Sequence, residues 1–346
     1  MRKIQDERIS LDQIRFSRGL SLWQVMARGL GVMVIMAAFV LLGDAVATAG
    51  PLTPVALLLA ALLLLVNLLG YVELAASGPH PDGAYAQVHE ARGGWLLILS
   101  GLGVCALLAQ GFAVQITTLL QDHLGLVLPV WPWAVGLVIL LAANNALGTQ
   151  EGPRGSITLL LLLMAVLLGF TLLAMPHINL DHYAGIRRNW GPSLTLWVVS
   201  FVGLEITASL QNEMRRRTSH APRAMLLMPV IVALLEAAIT TVVVGVAGSV
   251  ALAHSQIPLA LLGASVAGGA GRPFILIVGG LVLALGLNDA LVLVVRQIYV
   301  MSRDGYWPTA IRRMHPRFGT PTWAIVLAVL LLLPLTSLPV TRSRGQ

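Results

Sequence analysis

The sequence predicts an all-α membrane protein that crosses the bilayer about nine times. Of its 346 residues, 57% are hydrophobic and 11% are charged, and the mean hydropathy is +0.84. A soluble domain of this length would need far more polar surface to cover its core. Apolar runs of about 18 residues or more recur along the chain, and each could cross a hydrocarbon layer about 30 Å thick. Turns rich in Pro and Gly separate these runs and end the helices for steric reasons.

These runs predict a single transmembrane domain over residues 29–340, with spans one to five in 29–176 and spans six to nine in 193–340. Turns such as AGPLTP, SGPHPDGAY, QEGPRGS and FGTPT separate neighbouring spans. Stretch 254–273 is apolar but rich in Gly and flanked by prolines, so we predict an irregular or interfacial connection there. The nine spans are predicted at residues 29–50, 53–77, 96–120, 131–148, 156–176, 193–212, 225–253, 274–301 and 321–340.

The basic residues predict the orientation of the bundle in the cell membrane. With residues 1–28 as a cytoplasmic segment, 17 of the 22 Lys and Arg residues lie on the cytoplasmic side, and 341–346 form a short outer tail. This excess agrees with the positive-inside rule, so the net charge of +7 reflects topology. The basic run MRRR (214–217) has no stacking aromatic residues interleaved with it, which argues against nucleic-acid binding.

No enzyme, cofactor or metal chemistry is indicated by the sequence. The chain lacks a nucleophile elbow, a phosphate-binding loop and a dinucleotide fingerprint. Five of its histidines are scattered over predicted loops on both sides without the spacing of metal ligands: His177, His182, His220, His254 and His315.

The sixth predicted span carries a glycine and a carboxylate in its interior. In the stretch SFVGLEITASLQNE (200–213), Gly203 loosens the helix and Glu205 is costly within the bilayer. Ionisable residues inside a membrane usually face the bundle interior and serve a function.

Five stretches together resemble the amino acid–polyamine–organocation superfamily of permeases, and the resemblance covers residues 12–338. The stretch at 200–224 is similar to the F-x-G-F-E signature of that superfamily and the basic loop after it. The five stretches are LSLWQVMARGLGVM (20–33), FVLLGDAVATAGP (39–51), YVELAASGPHPDGAYAQVHEARGG (71–94), SFVGLEITASLQNEMRRRTSHAPRA (200–224) and VVRQIYVMSRDGYWPTAIRRMHPRFGTPTWAIV (294–326).

The resemblance implies a leucine-transporter-like inverted-repeat bundle whose first and sixth spans unwind near the midplane. Unwound ends would offer backbone N–H groups and helix dipoles to a substrate carboxylate. Gly203 would supply backbone freedom, and Glu205 would face a substrate ammonium or a gating partner. Alternatively, Glu205 only stabilises the start of the resumed helix. The implied substrate-binding residues are Val34, Ile35, Met36, Ala37, Ala38, Ser200, Phe201, Val202, Gly203 and Glu205.

The first span departs from the pattern of this superfamily. Two glycines of the family's first-span motif correspond to Ile35 and Ala37 here. A β-branched Ile does not relax the backbone as glycine does, and its side chain would crowd the place of a substrate carboxylate. The substrate is therefore unusual, or this half of the site is degraded.

The resemblance favours protons over sodium as the coupling ion. Some relatives place a lysine that mimics a cation in the fifth span, but the only lysine here is Lys3. Sodium-coupled relatives use hydroxyl groups of the eighth span, but residues 274–301 contain no Ser or Thr. Asp289 in the eighth span and Glu236 in the seventh are the candidates for proton coupling, since buried carboxylates can exchange protons. The alternative is that each only makes a polar contact within the bundle.

The resemblance also predicts that the bundle is incomplete. Most relatives have twelve spans, and the fold pairs the fifth span with a tenth, which the sequence does not show. We expect a truncated product whose exposed flank is covered by lipid, by a second copy in a homo-oligomer, or by helices from another chain.

The function expected from these features is transport of an amino acid or related amine by alternating access, as proton-coupled symport or exchange. The alternative is a permease-like protein that does not transport and acts as a sensor, an assembly partner or an inactive fragment. The altered first span and the missing tenth span favour the alternative.

Overall fold

The computed structural model describes residues 21–77, 91–148, 153–184, 190–210, 214 and 217–337. Most of the predicted cytoplasmic segment, residues 1–20, lies outside the described residues, as does the predicted tail 341–346. The described chain folds into helices, which confirms the all-α membrane class. Five helical runs are long and apolar enough to cross a bilayer: Leu22–Gly70, Gly93–Leu124, Leu160–His177, His220–Ala247 and Pro258–Arg303.

The first span begins at a capping box, seven residues before the predicted position. The Ser21 hydroxyl accepts a hydrogen bond from the backbone N–H of Gln24, and the Gln24 side chain accepts one from the backbone N–H of Ser21. These two bonds satisfy donors that a helix start leaves unpaired. Helix α1 therefore covers Leu22–Ile35.

The first span continues without leaving helical backbone. A π-helix over Met36–Leu41 follows α1, and α2 covers Leu42–Ala49. Gly50 then adopts a φ of 59°, which favours glycine, and a short 3₁₀ turn leads into α3 at Thr53–Ser77.

The next three helices match the third, fourth and fifth predicted spans. They are α4 at Ala91–Leu124, α5 at Trp131–Ala146 and α6 at Pro153–Ala174. Two 3₁₀ turns, Met175–His177 and Leu180–Tyr183, follow α6.

The sixth span is divided into two short helices. Helix α7 covers Gly191–Ser200, and α8 covers Gly203–Leu210. The seventh span is α9, Arg217–Ala247, and a short helix α10 follows at Ser249–His254.

The connection at 254–273 is mostly helical, which contradicts the irregular form of that prediction, while the interfacial alternative stays a prediction. Helix α11 covers Pro258–Arg303, and only Ala267 and Gly268 have non-helical backbone within it. The chain folds back at this kink, so that Gly263 and Gly271 bring their backbones together. A side chain at Gly263 would place its Cβ 2.6 Å from the carbonyl oxygen of Gly271. These glycines therefore allow two helical segments to touch.

The last described helix, α12, covers Thr322–Ser337.

The first span lies at the centre of the bundle. Helix α1 packs against α6, α8, α9 and α11, while α11 packs along α4 and α9 along α3. All six residues of the π-helix are buried. The core thus surrounds the segment that the resemblance assigns to substrate binding.

Candidate transport site

The five predicted residues of the first span lie in the centre of the bundle. Each is less than a tenth exposed: Val34, Ile35, Met36, Ala37 and Ala38. The expectation that this span unwinds is wrong, because Ile35 and Met36 keep right-handed helical dihedrals and lead directly into the π-helix. Ile35 replaces a glycine of the family motif, and a β-branched residue disfavours left-handed backbone. The first span therefore widens into a π-helix here and does not unwind.

The sixth span is broken at Phe201 and Val202, within the predicted stretch. Phe201 has a φ of −81° and a ψ of 9°, which ends α7. Four backbone N–H groups around the break each donate to the carbonyl three residues earlier, so the break is a tight turn and these donors are already paired. The bonds are Phe201 to Val198, Val202 to Val199, Leu204 to Phe201 and Glu205 to Val202, at 3.0–3.3 Å.

Gly203 permits a backbone contact between the two spans. A Cβ at Gly203 would lie 2.8 Å from Cγ of Met33, and nearer still to the carbonyl oxygen of Gly29. A Cβ at Gly29 would lie 2.9 Å from the carbonyl oxygen of Gly203 and 2.8 Å from the Thr207 hydroxyl. Gly203 thus has a role in packing, and its expected role in backbone freedom stays a prediction. We call this meeting of Gly29 and Gly203 the inner contact.

Glu205 joins the sixth span to the third. The Ser100 hydroxyl on α4 lies 3.1 Å from Oε2 of Glu205 and also 3.1 Å from the carbonyl oxygen of Leu97. Glu205 is in the first turn of α8, where a carboxylate also interacts favourably with the helix dipole. Glu205 therefore contacts a neighbouring helix and lies at a helix start, while its role towards a substrate ammonium or in gating stays a prediction.

A cavity of about 360 Å³ lies on the other side of the π-helix from the inner contact, and we call it the outer cavity. Its walls come from the first span, α4, the start of α5, the turn before α11 and the end of α12. Such a volume falls within the range of about 300–1,000 Å³ that is usual for small-molecule sites. The lining residues are Phe39, Val40, Leu41, Asp44, Leu107, Gln110, Gly111, Val114, Gln115, Val130, Trp131, Gln256, Ile257, Thr336 and Ser337.

Asp289 lines a second, much smaller cavity of about 40 Å³. This cavity lies between α1, α6 and α11, and Ile35 also lines it. A Cβ at Gly286 would lie 3.2 Å from Cδ1 of Ile35. The Ile35 side chain, which was predicted to crowd the place of a substrate carboxylate, therefore points towards the eighth span. Next to Asp289, the side chain of Asn288 accepts a hydrogen bond of 2.8 Å from Asn145 of α5.

Glu236 is in a different environment from Asp289. Its side chain is fully buried in α9, and neither carboxyl oxygen has a hydrogen-bond partner among the described residues. It does not line the outer cavity or the cavity at Asp289. The structure thus brings Asp289 together with Ile35 but leaves Glu236 apart from both.

Several residues that the structure places at the site were not selected from the sequence. Gly29, Ser100 and Gly279 look ordinary in a sequence rich in Gly and apolar residues, because each acts through a contact with a distant helix. Phe39 directly follows the predicted first-span stretch and faces the outer cavity. In the sequence, Gln115 is only an amide within an apolar span, and such an amide more often indicates contact between helices.

In comparisons with known proteins, the chain is similar to permeases and transporters. The sequence model of the family described as "Amino acid permease" matches residues 20–339. The chain is 24% identical to the branched-chain amino acid permease BcaP of Bacillus subtilis, over 88% of this chain and 72% of that protein. It is 29% identical to an uncharacterized transporter of Mycobacterium tuberculosis, over 93% and 73% of the two chains. It is 23% identical to the methylthioribose transporter of Bacillus subtilis, over 89% and 72%.

Proposed function

The chain belongs to the amino acid permease family, and on that premise we propose that it carries an amino acid or a related amine across the cytoplasmic membrane by alternating access. It is a multi-pass membrane protein of a transporter family, and its cargo is a small molecule. The proposal concerns the solute, the coupling and the mechanism.

The observation that carries this proposal is the asymmetry around the π-helix. On one side, the outer cavity has room for a small solute. On the other side, Gly29 and Gly203 bring the two spans into backbone contact, and Ser100 ties Glu205 to α4. A pocket of about 350 Å³ also lies on that side, between α1, α6 and α9, but its lining is apolar and none of it comes from α8. A cavity on one side and a closed contact on the other correspond to one of the two states that alternating access requires.

The arginine distribution supports a cytoplasmic N-terminus. In that orientation the outer cavity faces the outside of the cell and the inner contact closes the cytoplasmic side. Transport would then require Gly29 and Gly203 to separate while the outer cavity closes. Glu205 would act in gating, because its bond to Ser100 must break when α8 moves away from α4.

Asp289 is the better of the two candidates for proton coupling. It lies next to the first span at a small cavity, so a change in its protonation would change its interaction with a helix that moves. Glu236 has no such connection among the described residues, and we assign it a supporting role within α9. A carboxyl at a helix interface that moves is the usual form of a proton relay in transporters.

The walls of the outer cavity favour a solute with an apolar side chain. Phe39, Leu107, Val114, Trp131 and Ile257 make most of its surface apolar. Two of the similar proteins are described as branched-chain amino acid permeases, and a third is described as a transporter of methylthioribose. Leucine is therefore the first solute to test.

Uptake of radiolabelled leucine by the purified protein in proteoliposomes tests this function. We expect accumulation under an inward proton gradient, and reduced transport in Glu205→Gln because the amide changes the charge at the gate. Ile35→Gly should preserve or increase transport, since it restores a glycine at the centre of the first span. Absence of uptake in both the native chain and Ile35→Gly would instead support the alternative of a permease-like protein that does not transport.

A further inference from the structure

Two glutamines on α4 line the outer cavity, but they differ in their partners. Nε2 of Gln110 lies 3.4 Å from the carbonyl oxygens of both Leu335 and Thr336, at the end of α12. These carbonyls belong to the last turn of a helix, where no further backbone N–H within the helix can reach them. Gln110 therefore holds two helices together, as glutamines in membrane bundles commonly do.

Gln115 has no comparable partner. Its side chain is 1% exposed, and neither its amide nitrogen nor its amide oxygen makes a hydrogen bond to a described residue. Buried polar atoms in native proteins are nearly always paired, so an unpaired amide that lines a cavity points to a molecule that binds there.

Space for the Gln115 amide is provided by a glycine on the eighth span. A Cβ at Gly279 would lie 2.6 Å from Nε2 of Gln115 and 2.9 Å from Cε1 of Phe39. Because Gly279 has no side chain, the amide lies against α11 beside the ring of Phe39 from the π-helix. The amide of Gln115 thus lies beside the π-helix of the first span.

The backbone of the two spans offers fewer free donors for a head group than the family resemblance implied. The first span stays helical, and four N–H groups at the break in the sixth span already donate within the chain. A solute in the outer cavity would therefore depend on side chains for its polar contacts. Asp44 is the one charged side chain among the described residues that line this cavity, and its sign suits an ammonium group.

We propose that Gln115 binds the head group of the solute in the outer cavity, with its N–H₂ donating to the carboxylate and its carbonyl oxygen accepting from the ammonium. A neutral amide offers a donor and an acceptor side by side, which matches the paired charges of a zwitterionic α-amino acid. The apolar walls then receive the side chain. This inference rests on the proposed function and specifies its substrate class and a specificity-determining residue.

Binding of radiolabelled leucine to the purified protein tests the inference without requiring transport. Gln115→Leu should raise the Kd for leucine by about tenfold or more, because two hydrogen bonds to charged groups are lost. Asn145→Leu is the matched control: its amide donates to Asn288 at 2.8 Å and does not line the outer cavity, so the change should lower the Tm but alter the Kd by less than about threefold. Isopentylamine and 4-methylpentanoate each lack one charged group of leucine, and both should compete more weakly than leucine with the native protein.

Gly279→Ala provides a second variant that leaves Gln115 in place but displaces its amide. We expect a rise in Kd similar to that of Gln115→Leu, and little further loss when the two changes are combined. An unchanged Kd in Gln115→Leu, or equal losses in Gln115→Leu and Asn145→Leu, would overturn the inference. So would competition by isopentylamine as strong as that by leucine, and so would the absence of leucine binding to the native protein. Leucine binding that depends on Gln115 without any leucine uptake would support the binding site and refute the proposed transport.

Discussion

Replacing Gly29 by alanine should open the inner contact. The new Cβ would lie 2.9 Å from the carbonyl oxygen of Gly203 and 2.8 Å from the Thr207 hydroxyl, and the backbone of α8 cannot rotate away as a side chain could. Overpacking of this kind costs about 1–3 kcal/mol, and the better helix propensity of alanine does not offset it because α1 is helical in both the closed and the open state. A cost of about 1–2 kcal/mol, in the lower part of this range and specific to the closed state, shifts its equilibrium with an open state about 5–30-fold.

The labelling rate of a cysteine at the contact measures this shift. Leu204→Cys places a thiol at a buried position of α8 without removing the Thr207 hydroxyl, and the native Cys105 is buried and should react slowly. In this background Gly29→Ala should raise the rate of maleimide labelling by about 5–30-fold. Gly31→Ala is the control on the same helix, because a Cβ there meets nothing within 4 Å. Equal labelling rates in the two alanine variants would refute the argument that the glycine contact closes this side.

Three further predictions concern the gate, the coupling group and the kink. Ser100→Ala removes a donor to Glu205 and should raise the same labelling rate a few-fold, since one hydrogen bond contributes about 1 kcal/mol; an unchanged rate would show that the bond is not part of the closure. Asp289→Asn should abolish accumulation driven by a proton gradient but leave leucine counterflow, and equal loss of both would contradict its role in coupling. Gly271→Ala should lower the Tm strongly, at a cost of about 1–3 kcal/mol, whereas Gly269→Ala should not because a Cβ there is unobstructed; similar Tm values would contradict the helix contact at the kink.

The membrane class and the order of the spans could be read from the sequence, because long apolar runs have few alternatives in a bilayer. The connection at 254–273 could not, since glycine indicates both irregular backbone and close helix packing. Gly263 and Gly271 serve the second purpose, and only the distance between them reveals it. The packing role of Gly203 could not be predicted for the same reason, because its partner Gly29 lies far away in the sequence.

None of the ten residues that the resemblance implies as substrate-binding lines the outer cavity, so their role at a solute stays a prediction. The resemblance selected the stretches around Ile35 and Phe201, and the structure places irregular helix at both. The sequence did not reveal that the Gln110 amide has hydrogen-bond partners and the Gln115 amide has none among the described residues. Two amides on one apolar helix look the same until their neighbours are known. Long-range contacts decide which polar group is already engaged and which faces a cavity.

Leucine accumulation in proteoliposomes under an inward proton gradient tests the central claim most directly. The account predicts accumulation that collapses when the gradient is dissipated, with the native chain and Ile35→Gly both active. No leucine uptake in either, with or without the gradient and in counterflow as well, would contradict the claim that the outer cavity and the inner contact belong to a working permease.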